Sequence, residues 1–434
     1  MKPSGLPLVL AYGTLGLPLA ALGLPMYVFL PGFYAEQMGM AAVGGALLAA
    51  RLWDMVTDPV VGALGDRVTA GFGRRRSLIL AGLPVLMVSA DRLLRPPAEP
   101  DVSYLLGWGF AAYLGWTLVN LPYTAWGAEL SRDYDRRSAL TLSREGFAIA
   151  GILLAVTWPS LAGSGQPDAA ALASLSVVLL VTLPLASLLV LGLVPDPPWR
   201  GGPTGWRRGW QLLRANRPFQ RLLLAYLLNG IANGLPASLF TLFVAHVLQA
   251  PEWTGALLVA YFASGVAALP LWWWLARRLG KHRSWSLSML WVSAVFVTVP
   301  LLGAGDTTAF LLICLLSGVG VAVDMALPAA IQADLVDLDT SRGGSQRTGL
   351  YFGLWNVATK LALALAVGIA FPLLQWLGFD PRSPDDDGRL LLALAYAALP
   401  VAFKLAAIAL VWNFPYDRSA QRQVATRLQA AETA

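Results

Sequence analysis

The chain has 434 residues, of which 57% are hydrophobic and only 13% charged, and its mean hydropathy is +0.61. Soluble domains carry about twice that share of charge, so the composition excludes a soluble enzyme and leaves no segment long enough for a separate soluble domain. The formal charge of +6 reads as a basic bias of loops in a membrane protein, not as a nucleic-acid footprint. One cysteine, Cys314, and two histidines, His246 and His282, leave no disulfide framework, thiolate metal site or histidine-rich metal site.

Crossing a bilayer takes about 20 apolar residues, and such runs recur from end to end. The first, between Lys2 and Glu36, contains no charge and has no pattern of a cleavable signal. Twelve spans are expected, near 6–32, 40–64, 78–94, 103–128, 139–162, 169–194, 218–247, 254–276, 284–303, 308–333, 349–376 and 389–413. Loops assigned to the inside hold most of the Arg and Lys: 65–76, 131–137, 196–217, 277–283, 334–347 and the tail from Asp417. Short pieces such as 95–101 and the acidic 380–388 fall on the other side, which places both termini in the cytoplasm. The stretch 196–217, rich in Pro, Gly, Trp and Arg, reads as a linker between two six-helix halves, 1–195 and 218–416, with a tail at 417–434. A weak repeat supports the halves: "FGRRR" (72–76) follows the second span and "LGKHR" (279–283) the eighth. The expected architecture is all-α, integral to the membrane and multi-pass, with two pseudo-symmetric bundles and a substrate site near the midplane.

Few charges remain inside the spans: Arg51, Asp54, Asp58, Arg144, Glu145, Asp324, Lys360 and Lys404. Each costs at least about 2.5–3.5 kcal/mol at a helix centre, so a transport pathway is the first reading. Arg51, Asp54 and Asp58 fall within about 60° of one another around a helix. Two carboxylates four residues apart share a proton or hold a cation, and Arg51 can balance only one of them. Pro59 should bend the helix just beyond them. Thr117 and Asn120 share a face of the fourth span and offer neutral oxygen ligands, or else bond between helices. Lys360, with Asn356 one turn before it, needs a carboxylate partner, for which Asp54 and Asp58 are candidates, or a depressed pKa, or else it snorkels to an interface. Lys404, nearer the end of its span, reads as a side chain that snorkels to the interface. Arg144 either faces a substrate cavity or serves as a gate charge. Adjacent residues point apart on a helix, so Glu145 is not expected to pair with it. Asp324 could pair with Lys360, carry a proton or recognise a cationic group.

Taken together, "RLWDMVTDPVVGALGDR", "LPYTAWGAELSRDYDRRS" and "ADLVDLDTSRGGSQRTGLYFGLWNVATKLALA" resemble the glycoside–pentoside–hexuronide:cation symporters. These form the melibiose-permease branch of the major facilitator superfamily, and the resemblance covers essentially the whole chain. It implies Na⁺, Li⁺ or H⁺ as coupling ion and no other cofactor. It also implies a cation site of Asp54 and Asp58 with Thr117, Asn120 and nearby Lys360, and Arg144 as a sugar-binding arginine. Two departures stand out. Asn120 replaces the fourth-span Asp of sodium-coupled sugar permeases, which leaves proton coupling open. The first span lacks the acidic residue that grips sugar hydroxyls, and related eukaryotic carriers take lysophospholipids.

The expected function is therefore cation-coupled symport of a small organic solute, a sugar or glycoside first, by alternating access. A lysolipid carrier or an exporter of the same fold is the alternative. Tyr351, Trp355, Asn356 and Asp324 join Arg144 as substrate candidates, while Arg51, Asp66, Arg74 and Arg75 take structural or gating roles. The chain is expected to work as a monomer in a lipid bilayer, the inner membrane if bacterial, with a small-molecule substrate and no nucleic acid. An embedded enzyme is disfavoured by the scarcity of His and Cys and by the short loops.

Overall fold

In lipid every backbone N–H and C=O must find its partner within the chain, which restricts spanning segments to helices or closed barrels. The protein uses helices, and no strand occurs among the described residues. The computed structural model describes residues 5–31, 33–34, 40–67, 72–163, 168–196, 211, 214–343, 347–379 and 386–433. Most of the expected linker and residues 380–385 of the acidic loop lie outside these.

The α-helices in chain order are α1 (Leu6–Gly13), α2 (Gly16–Leu24), α3 (Met40–Gly65), α4 (Arg74–Leu94), α5 (Val102–Glu129), α6 (Tyr134–Leu161), α7 (Ala169–Leu193) and α8 (Arg217–Leu242). There follow α9 (Thr254–Ala267), α10 (Leu269–Leu279), α11 (Lys281–Phe296), α12 (Thr307–Gly318), α13 (Val321–Gly343), α14 (Thr348–Trp376), α15 (Asp386–Val411) and α16 (Arg418–Thr433). Several starts are set by a side chain that accepts from an otherwise unpaired backbone N–H. Asp101, Asp133 and Asp168 do this for α5, α6 and α7 at 2.8 Å each, and Asn216 does so for α8 at 3.2 Å.

Among the described residues ten helices are long and apolar enough to cross a membrane. An eleventh is added if Pro251–Ala267 and Leu269–Leu279, bent by 45°, count as one span. The expected second span, α3, is not in that set. It nevertheless forms one helix of 26 residues that runs through Pro59, so the expected bend does not break it.

The chain divides into two compact units. The first comprises residues 1–210, 336–356 and 424–434. In it α2 packs on α6, α3 on α5, and α4 on α5 and α7, around a core that includes Tyr12, Tyr34, Leu86 and Trp126. The second comprises residues 211–335 and 357–423. Here α8 and α11 pack on α15, and α9 on α12. Its core is ring-rich, with Phe243 stacked on Tyr396 at 4.5 Å and set 5.0 Å from Phe310.

Candidate functional site

Helix α3 carries Asp54 and Asp58 one turn apart, and both are buried, at 1% and 0% exposure. Because α3 packs on α5, Thr117 lies against them. Its hydroxyl is 3.1 Å from Asp54 Oδ1 and 2.9 Å from Asp58 Oδ1. A hydroxyl has one proton to give, so it can donate to only one carboxylate at a time. Like charges one turn apart on a helix repel, and burial raises the cost of carrying both. Arg51, on the same stripe, is exposed where the carboxylates are buried. Asn120 stands half-buried one turn beyond Thr117, and among the described residues it makes no hydrogen bond to either carboxylate. Lys360 is half-buried in α14 and belongs to the second unit, whereas Asp54 and Asp58 belong to the first.

The end of the same helix is joined to the start of α14. Asp66 accepts from the backbone N–H groups of Gly349 (2.8 Å) and Leu350 (3.0 Å) and from Arg75 (3.0 Å). A carboxylate at a helix start meets both unpaired N–H groups and the positive end of the helix dipole. Burial, opposed by Arg75, Arg74 and these two N–H groups, holds the Asp66 carboxyl above the ordinary carboxylate range. Arg74 and Arg75 also converge on Glu129, at 2.7 and 2.6 Å. The backbones approach so closely that a Cβ on Gly62 would lie 2.3 Å from the Gly349 carbonyl oxygen.

Two expectations about the remaining intramembrane charges are corrected. Lys404 does not snorkel; it is 3% exposed and donates to Asn229 Oδ1 and Asn233 Oδ1, both at 2.8 Å, and to Asp324 Oδ2 at 3.0 Å. Asp324 also accepts from Trp285 Nε1 at 2.9 Å. Asp324, a substrate candidate from sequence, is thus the counter-ion of Lys404. Arg144 pairs with the adjacent Glu145. Their Cα–Cβ bonds diverge, but both side chains are long enough to fold toward each other when burial leaves each charge without water. Among the other substrate candidates, Tyr351 and Trp355 are buried and Asn356 half-buried on the first turns of α14. The Tyr351 hydroxyl bonds to Asp339, which also accepts from Arg347 at 2.9 Å.

Residues 11–418 match the MFS/sugar transport protein family. The chain belongs to that family. An uncharacterized symporter of Synechocystis is 25% identical over 98% of this chain and 96% of its own length. The human sodium-dependent lysophosphatidylcholine symporter 1 is 22% identical over 92% and 80%, and the glucuronide carrier protein homolog of Escherichia coli 23% over 89% and 88%. Among solved structures, the E. coli fucose:proton symporter superposes with a TM-score of 0.63 at 15% identity, covering 92% of this chain and 97% of that one. The protein is therefore a multi-pass membrane transporter of the major facilitator fold, and its family is not one of enzymes.

Sequence reasoning missed several charged partners of this MFS transporter. Lys281 binds Asp334 at 2.6 Å in the second unit, and Arg137 binds Asp337 at 2.7 Å in the first. A signal was present: Asp334, Asp337 and Asp339 recur at the end of α13, and an acidic helix end needs basic partners. Asn229 and Asn233 stand four residues apart in an apolar run, a spacing that puts two amides on one helix face.

Proposed function

We propose that the protein is a cation-coupled symporter in which Asp54 and Asp58, with Thr117 between them, bind the coupling ion, Na⁺ or H⁺. The observation that carries this is one hydroxyl within 3.1 Å of two buried carboxylates. Proton or cation entry neutralises the pair and lowers the cost of keeping it out of water. The attachment of α3 to the start of α14 through Asp66, Gly349 and Leu350 links ion occupancy to a helix that carries Tyr351, Trp355, Asn356 and Lys360. Thr117 and Asn120 tune the ion site with neutral oxygens, and Arg144, held by Glu145, is the substrate-facing candidate. The solute is a sugar or glycoside, as the glucuronide carrier homolog suggests. The lysophosphatidylcholine symporters, which are comparably similar, support a lysolipid as the second reading.

The test is uptake by proteoliposomes under an imposed Na⁺ or pH gradient, with glycosides and lysophosphatidylcholine offered separately. Asp58→Asn should reduce gradient-driven uptake to the level of empty liposomes while leaving the purified protein folded. Accumulation at the unmodified rate in that variant would end the ion-site assignment.

A further inference from the structure

Helix α10 ends a candidate span with the sequence "WWWLARRL", and its three tryptophans divide by role. Trp272 is buried, and its Nε1 donates to the Val319 carbonyl at 2.6 Å, anchoring the helix to the protein. Trp273 and Trp274 are 42% and 52% exposed. One turn later Arg277 lies over the Trp273 ring at 5.0 Å and Arg278 over the Trp274 ring at 5.5 Å. Both arginines are exposed, and among the described residues neither has a carboxylate within ion-pair reach. Arg283 is exposed beside them, and Arg418 donates to the Arg277 carbonyl at 3.0 Å. Two carboxylates on the adjoining segments already have partners. Lys281 holds Asp334, and Asp417 accepts from the N–H groups of Ser419 and Ala420 at 2.9 Å each.

We propose that this turn of α10 binds the headgroup of an anionic phospholipid, its phosphate held by Arg277 and Arg278 above the faces of Trp273 and Trp274. A guanidinium uses its flat face on an aromatic ring and keeps its N–H edges for an oxyanion. Each guanidinium here has one face on an indole, and among the described residues its edges meet no carboxylate within ion-pair reach. Indole rings favour the membrane–water boundary, where one side is apolar and the other wet. The end of a bent span followed by a charged loop is such a boundary. Net positive charge at this end, with those two carboxylates already partnered, selects an anionic over a zwitterionic lipid. Topology alone would need the charge but not the paired rings.

Native mass spectrometry of the full chain, in mixed micelles containing equal dioleoylphosphatidylglycerol and dioleoylphosphatidylcholine, reads the preference directly. The unmodified protein should retain phosphatidylglycerol selectively. Arg277→Gln/Arg278→Gln should lower that preference at least about tenfold, with an unchanged melting temperature in phosphatidylcholine alone. Trp273→Leu/Trp274→Leu keeps every charge and should also lose most of the preference. Full phosphatidylglycerol retention in either variant, or no preference in the unmodified protein, would overturn the proposal.

Discussion

A lysine ammonium has three protons, and at Lys404 each meets an acceptor on a different residue: Asn229, Asn233 and Asp324. Snorkelling needs a lipid-facing side chain, and the packing of α8 on α15 denies it one. Removing one charge of a buried pair strands the other, at a cost of about 3–5 kcal/mol, whereas removing both is much milder. Lys404→Met and Asp324→Leu should therefore each lower the melting temperature of the purified protein clearly, and the double variant should recover most of the loss. A double variant no more stable than the worse single one would show that the pair is not the unit. At Thr117 the logic is finer. Thr117→Ser keeps the shared hydroxyl and should retain ion-driven uptake, while Thr117→Val removes it and should weaken the ion dependence of uptake about tenfold, an amount typical of losing one hydrogen bond to a charged group.

Helices meet at distances set by their smallest residues, and α3 meets the start of α14 backbone to backbone. A Cβ on Gly349 would lie 2.2 Å from the Gly62 carbonyl oxygen, so Gly349→Ala must push the two apart and strain the Asp66 contacts. It should slow uptake and lower the melting temperature. Gly107 in α5, with nothing within 4 Å of its Cβ position, is the control: Gly107→Ala should be neutral or stabilising by about 0.5–1 kcal/mol. Sequence made most helices legible because each expected span is an apolar run bounded by charge or by a capping Asp. It missed the Arg144–Glu145 pair because helix geometry describes where Cβ atoms point, not where long side chains end. At α16 the start is pH-sensitive. The Ala420 N–H, then the Ser419 hydroxyl, hold the Asp417 carboxyl below the usual carboxylate range. A depressed folded pKa gives stability that is present above the unfolded value of about 3.9 and is lost as pH falls through the folded one. Amide exchange at Ser419 and Ala420 should therefore accelerate below about pH 4 and be insensitive to that change in Asp417→Ala.

For the whole molecule, hydropathy located the long apolar helices, and it placed α3 among them despite its charges. Two of those charges, Asp54 and Asp58, are buried where Thr117 of α5 meets them, while Arg51 is exposed. The resemblance to the symporters grouped Asp54, Asp58 and Thr117, and the structure brings these three side chains within hydrogen-bond distance. The partners of Asp324 were not legible, because they come from three other helices and leave no local pattern. The same burial has a thermodynamic consequence for the folded protein as a whole. A cation that binds only the folded state raises stability by about 2.7 kcal/mol at a hundredfold excess over its dissociation constant. Melting of the purified protein should therefore rise with the coupling ion and not with a choline salt of equal ionic strength. With Na⁺ as that ion, the rise appears at constant pH and saturates. With H⁺ as that ion, Na⁺ and the choline salt act alike. The Na⁺ response should vanish in Asp54→Asn/Asp58→Asn, where no charge remains to be neutralised. A rise that survives in the double variant would place the stabilising ion elsewhere and separate it from the carboxylate pair on α3.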